Sequence, residues 1–360
     1  MQNKTVLITQ PNARISRELL YDLARRGAYL ILAYDKLNQC EEIKQRLVRK
    51  YSVKSDMIDC RRLENDSMTS VRRLAAGVLA DFHRLDCVIL QSPSCVKSII
   101  AGERRLTHDG FEHELGVNYF NTYLLSRLLI DRLNESNGRL IFVNDTQASD
   151  IAEESSVRIP DTQEVTIPLE NLNWENTESY TPKKGYQRSQ WFLSMFADEL
   201  ARRNSMKGEA SILVVNPRIS RNSPSEVDKN DVGGLLKLFY KLSDICARLI
   251  SRKAASTSLF CAIADPAVID LTGDGVNHKE GQVVMRSPVY QDLRLLVSSK
   301  QNDDTVKHRR YACQLLWDVS EKWTRLDTHP TALPLPKQSS VNKKEVSGDN
   351  EVQSIPAVHI

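Results

Sequence analysis

Short apolar runs alternate with longer amphipathic segments over the first two thirds of the chain. The runs have the length of buried strands, and the segments between them repeat apolar residues at the spacing of one helix face. Strands are predicted at residues 5–9, 28–33, 55–63, 85–90, 139–143 and 210–216. Helices are predicted at residues 17–27, 39–50, 67–82, 110–133 and 186–203. Regular alternation of this kind predicts an α/β fold in which a parallel sheet is wound with helices on both faces.

The first strand leads into the first helix through a turn that contains no glycine, Gln10-Pro11-Asn12-Ala13-Arg14-Ile15-Ser16. A strand, a turn and a helix in this order open a dinucleotide-binding unit. Glycines normally let this backbone turn sharply and approach a pyrophosphate, which rests on the N–H groups at the start of the helix. Because side chains stand in those places here, the pattern predicts a kept fold with an altered phosphate site.

Three segments lie outside the alternating pattern. Residues 151–184 form a polar, Glu-rich connection that is too long for an ordinary loop and is either a binding loop or an insertion. Residues 235–250 have the pattern of an amphipathic helix, which either packs over a cleft or the core or touches a membrane surface. From about Pro330 the chain is rich in Ser, Lys, Asn, Glu and Pro, which predicts a disordered tail.

The composition is that of an ordinary globular protein. The 360 residues are 41% apolar and 26% charged, and a net charge of +3 with mixed signs does not indicate nucleic-acid binding. Seven cysteines without a CxxC pair fit a reducing compartment, and no apolar run is long enough to cross a bilayer. The scattered histidines lack metal-ligand spacing, so no metal site is predicted. With no signal peptide recognised before the first strand, we expect a cytoplasmic protein with at most peripheral membrane contact.

Six segments then stand out, in the order of these elements: Lys4–Thr9, Asp109–Glu112, Gly116–Asn118, Tyr186–Ser189, Glu199–Arg203 and Leu316–Glu321. Together they resemble the short-chain dehydrogenase/reductase family, and they are similar to its retinol dehydrogenase branch, over most of residues 3–327. The resemblance implies one Rossmann-like domain at 1–327 with a parallel seven-stranded sheet, loop or lid insertions at 151–185 and 220–255, and a polar tail at 328–360. It also implies NADP or NAD as cofactor and oxidoreduction of carbonyls or retinoids.

In this family the first turn reads TGxxxGxG, and all three glycine places differ here. Thr9 is kept, and with Ile15 it suffices to join the first strand to the first helix, whereas Gln10, Arg14 and Ser16 replace the glycines. A residue with a Cβ in a left-handed conformation costs about 1 to 2 kcal/mol, so we expect the turn to have re-formed. Arg14 either fills the volume of the pyrophosphate or binds a phosphate through its charge.

The other cofactor positions implied by the resemblance also differ. Asp35 stands where this branch places an arginine for the ribose 2′-phosphate, and it is either an acceptor for ribose hydroxyls that favours NAD or a solvated charge. Glu64 stands at the position of the adenine-contacting acid, and Leu90-Gln91-Ser92-Pro93 replaces the family's NNAG. After the sixth strand, Pro217 is kept without its following glycine, and Asn222 stands in place of a threonine.

The family's catalytic tetrad of Asn, Ser, Tyr and Lys corresponds to Asn118, Asp145, Tyr186 and Gln190, so two members are kept. The last two lie four residues apart on one helix face, where a lysine would lower the pKa of the tyrosine. A tyrosine has an ordinary pKa near 10, and bringing it to neutrality takes about 4 kcal/mol, which an amide does not supply. The carboxylate of Asp145 acts in the opposite direction. We therefore expect Tyr186 to be a packing residue and Asn118 to bond the backbone within its helix.

Three hypotheses follow. The first is a catalytically impaired pseudoenzyme that keeps the fold as a binding or scaffolding subunit, as a homodimer or a heterodimer with an active relative, because the resemblance implies a dimer interface on the helices at 110–133 and 186–203. The second is an active but atypical NAD(P)-dependent oxidoreductase with Tyr186 as general acid. The third is a carrier of an apolar small molecule, retinoid or aldehyde-like, bound under the helix at 235–250.

Overall fold

The computed structural model describes residues 1–92, 102–145, 167–205, 210–216, 255–264, 289–291, 294–296 and 303–332. Several predictions fall outside these residues. They are the helix at 235–250, nearly all of the insertion at 220–255, residues 151–166 of the other insertion, the positions of Pro217 and Asn222, and the tail after residue 332. The division into a domain and a tail therefore stays a prediction.

An eight-stranded sheet forms the centre of the molecule, with strand order β3-β2-β1-β4-β5-β6-β7-β8. The strands are β1 Thr5–Thr9, β2 Tyr29–Tyr34, β3 Ile58–Arg62, β4 Cys87–Gln91, β5 Arg139–Val143, β6 Ser211–Val215, β7 Val289–Gln291 and β8 Arg294–Leu296. Strands β1 to β7 are parallel, which confirms the seven-stranded parallel sheet, and β8 adds an antiparallel edge. The strand order reverses between β1 and β4, and α/β proteins bind ligands at the carboxyl ends of strands beside such a reversal.

Seven helices cover the sheet in the described part of the chain. They are α1 Arg14–Arg25, α2 Leu37–Tyr51, α3 Met68–Asp81, α4 from His113 to Glu135, α5 Pro182–Asn204, α6 at 255–263 and α7 Asp303–Trp323. The middle of α4, Gly116–Phe120, is a π-helix between α-helical His113–Leu115 and Asn121–Glu135. Short 3-10 turns occur at Ser55–Met57 and Leu169–Asn171. No helix in this described part has the length and apolar character needed to cross a membrane.

The helices divide between the two faces of the sheet, as the doubly wound prediction requires. α1, α2 and α6 bury one apolar cluster against the first face, while α3, α4, α5 and α7 bury a second, larger cluster against the other. The strand side chains alternate between these two clusters, so central strands such as β1 and β4 are buried on both sides. Burial of this kind fixes the carboxyl ends of the strands, where the candidate site lies.

Capping groups set where α4 and α5 begin. α4 starts at His113 rather than at residue 110, because Gly110 has a φ of +82° and the carboxylate of Glu112 accepts N–H groups of the first helical turn. α5 starts at Pro182 rather than at residue 186, because the Thr181 hydroxyl caps it and proline suits a first helical turn. α4 therefore begins three residues later than predicted, whereas α5 gains one turn beside the candidate site.

A buried carboxylate holds the amino ends of β1 and β4 together. Asp86 Oδ1 accepts Lys4 Nζ at 2.8 Å and Arg84 Nε at 2.7 Å, and its Oδ2 accepts the N–H of Thr5 at 2.9 Å. Burial alone would raise the pKa of Asp86, but these hydrogen bonds and the Lys4 charge outweigh burial and lower it below its ordinary value. The ionised form of Asp86 therefore stabilises the fold.

Replacing Asp86 by asparagine is expected to lower the free energy of unfolding by about 1 to 3 kcal/mol near neutral pH. Because the folded pKa is lowered, this stabilisation is present above the ordinary carboxyl pKa and is lost as the pH falls through the folded value. Urea unfolding of both proteins between pH 7 and pH 3 measures the difference. Asp131→Asn, at an exposed position of α4, is the control. A deficit for Asp86→Asn that stays constant down to pH 3 would contradict the assignment.

Candidate functional site

The turn after β1 keeps a left-handed residue at its first position although that residue is not glycine. Gln10 has a φ of +52° and is buried, and its carbonyl oxygen accepts the N–H of Ala13 at 3.0 Å, which closes the turn. The expectation that this turn has re-formed is therefore wrong at Gln10. The backbone follows a left-handed path there despite the cost of a Cβ, about 1 to 2 kcal/mol.

The next residues belong to the first turn of α1 and not, as predicted, to the loop before it. Ile15 and Ser16 are buried, with Ile15 in the apolar cluster beneath α1. Ala13 precedes the helix and has no polar side chain, so it does not cap the first N–H groups of α1. The side chain of Arg14 lies outside the described residues, and both roles predicted for it stay predictions.

Side chains tie this turn to the end of β4. Ser16 Oγ donates to Gln91 Oε1 at 2.7 Å. Thr9 Oγ1 accepts the N–H of Gln91 at 2.9 Å and donates to its carbonyl oxygen at 3.3 Å. The residues predicted as parts of two separate cofactor loops are therefore one hydrogen-bonded unit.

A second set of polar contacts joins the turn after β1 to the end of β2 and to α2. Asn12 Nδ2 donates to the Tyr34 hydroxyl at 2.7 Å and to Gln39 Oε1 at 3.3 Å. Asp35 follows Tyr34 directly and is exposed, which is compatible with both roles predicted for it. Sequence reasoning did not single out Asn12, Tyr34 or Gln39, because their contact depends on how α2 packs beside the turn.

A narrow cleft with room for about one water molecule lies between the ends of β1, β3 and β4 and the first half of α4. It is lined by Thr9, Leu63, Asn65, Val71, Leu90, Gln91, Val117, Asn121, Thr122 and Leu125. Asn121 Nδ2 donates to the carbonyl oxygen of Asn65 and bridges two walls of this cleft. Leu90 is buried in one wall, whereas Glu64 points elsewhere and pairs with Arg62 at 2.5 Å.

Gln190 fastens α5 to the end of β5. Its side chain is fully buried, and Oε1 accepts the N–H of Asp145 at 3.0 Å. Its main-chain carbonyl oxygen accepts Asn144 Nδ2 at 3.2 Å. Within the described residues, Gln190 Nε2 has no hydrogen-bond partner. Two predicted site positions, 145 and 190, are therefore in direct contact through the main chain.

Asn118 lies in the π-helical part of α4 and connects α4 to α5. Its Nδ2 donates to Glu114 Oε2 at 3.0 Å and to Ser189 Oγ at 3.3 Å, and Ser189 Oγ donates to the carbonyl oxygen of Tyr186 at 2.7 Å. The prediction that Asn118 bonds the backbone of its own helix is wrong, because a buried carboxylate and hydroxyl take that place. Tyr186 is buried one turn before Gln190 on α5.

A buried carboxylate that the sequence did not mark as chemically important lies beside this network. Glu112 accepts the N–H groups of Glu114 at 3.0 Å and Leu115 at 2.8 Å, and the Tyr180 hydroxyl at 2.8 Å. Burial raises the pKa of Glu112, although these hydrogen bonds act against the rise. A Cβ at Gly185 would lie 2.9 Å from Glu112 Oε1, so a larger residue there would have to displace this carboxylate.

The comparisons with known proteins agree with this geometry. No family model matches the chain. Human retinol dehydrogenase 13 is 26% identical over 287 residues, covering 77% of each chain, and human retinol dehydrogenase 12 is 28% identical over 265 residues, covering 74% of this chain and 75% of the relative. An uncharacterized Mycobacterium paratuberculosis protein aligns with a TM-score of 0.58 at 22% identity, over 90% of this chain and 94% of its own. Menthone neomenthol reductase from Mentha piperita aligns with a TM-score of 0.50 at 17% identity, over 74% of this chain and 96% of its own.

The chain is similar to the short-chain dehydrogenase/reductase family. Its similarity to retinol dehydrogenases supports the predicted branch, and the family positions can now be read on the structure. Gln190 stands in the place of the family's lysine and Asp145 in the place of its serine, and the two are joined through the Asp145 N–H. The assignment of these residues, with Asn118 and Tyr186, to a catalytic site stays a prediction.

The residues present do not fit a nicotinamide cofactor poised for reaction. Where the cofactor phosphates would bind, the uncapped start of α1 still offers N–H groups to an anion. The Ser16 hydroxyl in this first turn is already hydrogen-bonded to Gln91. At the other end, the family lysine is replaced by an amide whose Oε1 is occupied by the main chain, and a carboxylate replaces the hydroxyl donor. Lys184, near the start of α5, does not replace that lysine, since its Nζ donates to the Ser179 carbonyl oxygen at 2.8 Å.

Replacing Gln10 by glycine is expected to raise the free energy of unfolding by about 0.5 to 1 kcal/mol, because the left-handed conformation no longer carries a Cβ. Chemical denaturation of the two proteins measures this gain. Ser52→Gly is the matched control, since Ser52 ends α2 with a φ of +53° and is exposed. A gain at position 52 together with a loss at position 10 would show that the Gln10 side chain itself stabilises the turn.

Proposed function

We propose that this chain is a catalytically impaired member of its family that serves as a binding or scaffolding subunit. One observation carries the proposal. The buried carboxamide of Gln190 occupies the position of the family's lysine and accepts the Asp145 N–H at 3.0 Å, so the group that would activate Tyr186 is a neutral side chain held against the main chain.

The energetic argument concerns the proton on the tyrosine. A tyrosine hydroxyl ordinarily has a pKa near 10, and general acid–base catalysis works best when the pKa lies near the working pH. A shift of about 3 units corresponds to about 4 kcal/mol, which a lysine ammonium one helical turn away supplies in part. An amide has no charge to supply, and a carboxylate at position 145 favours the protonated phenol.

The proposal leaves open a ligand-binding role, for which the narrow cleft would have to widen. Relatives named retinol dehydrogenases suggest an apolar small molecule, retinoid or aldehyde-like, as its ligand, and the family suggests NADP or NAD. A homodimer or a heterodimer with an active relative, and a cytoplasmic location with peripheral membrane contact, remain parts of the proposal. No nucleic-acid partner is proposed.

A second candidate is an active, atypical NAD(P)-dependent oxidoreductase that uses Tyr186. It is favoured by one observation, the link from Asn118 through Ser189 to the Tyr186 carbonyl. This link keeps the relative positions of the two retained tetrad residues. The two candidates differ in whether the native chain reduces a carbonyl, which a direct assay decides.

The native chain is expected to bind NADPH and NADH more weakly than about 100 μM, roughly 5 kcal/mol, and not to reduce retinal or aliphatic aldehydes. Calorimetric titration and a spectrophotometric assay at saturating cofactor measure both. Turnover by the native chain that Tyr186→Phe abolishes would overturn the proposal in favour of the second candidate.

Restoring the family residues is expected to restore chemistry. If the native chain binds a cofactor without turnover, the double substitution Asp145→Ser with Gln190→Lys should give measurable aldehyde reduction, because it returns a hydroxyl donor and a cation to the site. The matched control is Asp145→Ser with Ser194→Lys, which places the same cation one helical turn further along α5 at a half-buried position. Equal rates for the two double variants would show that position 190 is not where the family lysine acts.

A further inference from the structure

The outer face of α4 and α5 is covered within the chain. The exposed residues of the two helices are all charged: Asp131 and Glu135 on α4, and Lys183 and Lys184 on α5. A helix that is buried on nearly every side has no apolar stripe to offer a partner. The element that covers both helices is α7.

One tryptophan of α7 is wedged between the two helices. Trp317 packs edge-on against Tyr123 of α4, with ring centroids 5.6 Å apart, and in a tilted arrangement against Phe196 of α5 at 5.8 Å. The guanidinium of Arg127 lies 4.3 Å from the centre of the indole ring, and that of Arg203 lies 4.2 Å from it. A cation over an indole ring is attracted to its π-system. Trp317 of α7 is therefore held by one arginine from α4 and one from α5.

Polar contacts of α7 continue this arrangement toward its end. Arg127 Nη2 pairs with Glu321 Oε1 at 2.9 Å. The hydroxyls of Tyr119 and Ser320 lie 2.7 Å apart, and both residues are fully buried. Buried polar groups are stable only when paired, so separating α7 from α4 would leave these hydroxyls without each other.

A buried arginine of α3 then holds the end of α7. Arg72 is fully buried, and it donates through Nη2 to the carbonyl oxygens of Thr324 and Arg325 and through Nη1 to those of His329 and Thr331, at 2.6 to 3.3 Å. The carbonyls of Thr324 and Arg325 directly follow α7, where positive charge is favourable, and those of His329 and Thr331 lie in the turns beyond it. Burial lowers the pKa of Arg72, and the four carbonyls compensate its buried charge.

We infer that α7 of the same chain permanently covers the face formed by α4 and α5, and that Trp317 and Arg72 hold it there. A second protein must therefore bind another surface. The inference goes beyond the proposed function and restricts it. A homodimer or heterodimer on the helices at 110–133 and 186–203 would first have to displace α7.

Loosening the Arg72 contacts tests the inference on the full chain. Hydrogen exchange is expected to find α7 and the facing part of α4 protected in the native chain, whether light scattering gives a monomer near 40.9 kDa or a dimer that uses another surface. Arg72→Met should speed exchange of both segments together, while Arg73→Met, at the exposed neighbouring position, should not. A native dimer with cross-links between the α4 helices of two copies would overturn the inference, and so would equal exchange in the two variants.

Swapping the charges of Arg127 and Glu321 tests whether α7 packs on its own chain. This test does not depend on whether Arg72→Met folds. Arg127→Glu and Glu321→Arg should each lower the melting temperature by a few degrees, and the two together in one chain should recover part of the loss. Mixing the two single variants should recover nothing. Recovery in the mixture would show that α7 is exchanged between copies, and no recovery in the double variant would show that the contact is not made. Either result overturns the inference.

Discussion

Burial of α5 on nearly every side is the constraint on which the candidate site depends. Position 190 lies in the middle of this helix with no solvent exposure, so a polar side chain there must find its partners inside the protein. A lysine would bring a full charge to such a place, and an unpaired buried charge costs several kcal/mol. Gln190 brings only a dipole, and its oxygen satisfies the main-chain N–H of Asp145. The bond uses the main-chain N–H of residue 145, so it depends on the side chain at position 190 and would persist with a serine at position 145.

A carboxyl group in the same interior is held by hydrogen bonds from a helix start, which oppose the rise that burial causes in its pKa. Glu112 is as buried as Gln190, yet it receives two N–H groups from the first turn of α4 and the hydroxyl of Tyr180. A helix amino end carries a partial positive charge that stabilises a carboxylate, whereas the middle of α5 offers no comparable support. Asn118 is tied to this region through Glu114 and to α5 through Ser189. Its retention therefore has a structural reason, and it is not in itself an argument for activity.

The sequence predicted the fold better than the site, for physical reasons that particular residues illustrate. Six strands and the two-sided helical cover follow from local periodicity, and they appear within a few residues of their predicted bounds. β7 and β8 were missed as individual segments because each has three residues, too few for a periodic signal. In the site, the resemblance predicted which positions differ, but not that Gln190 would bond Asp145 or that Ser16 would bond Gln91. Arg72 and Arg73 are adjacent and identical in type, and only packing decides that the first is buried against α7.

Gln10 shows which constraint acts on the first turn. A left-handed residue with a Cβ is unfavourable, so other contacts must hold it. Those contacts are visible: the Gln10 carbonyl closes the turn onto Ala13, and Thr9 and Ser16, on either side of it, both bond Gln91. The backbone path is therefore set by the packing of β1, α1 and β4, which does not require a phosphate. Positions 145 and 190 are different, because packing alone would tolerate other neutral side chains there and only chemistry requires a hydroxyl and a cation. A turn held by packing, together with an amide at position 190 and a carboxylate at position 145, supports the proposal that this fold acts without the family's chemistry.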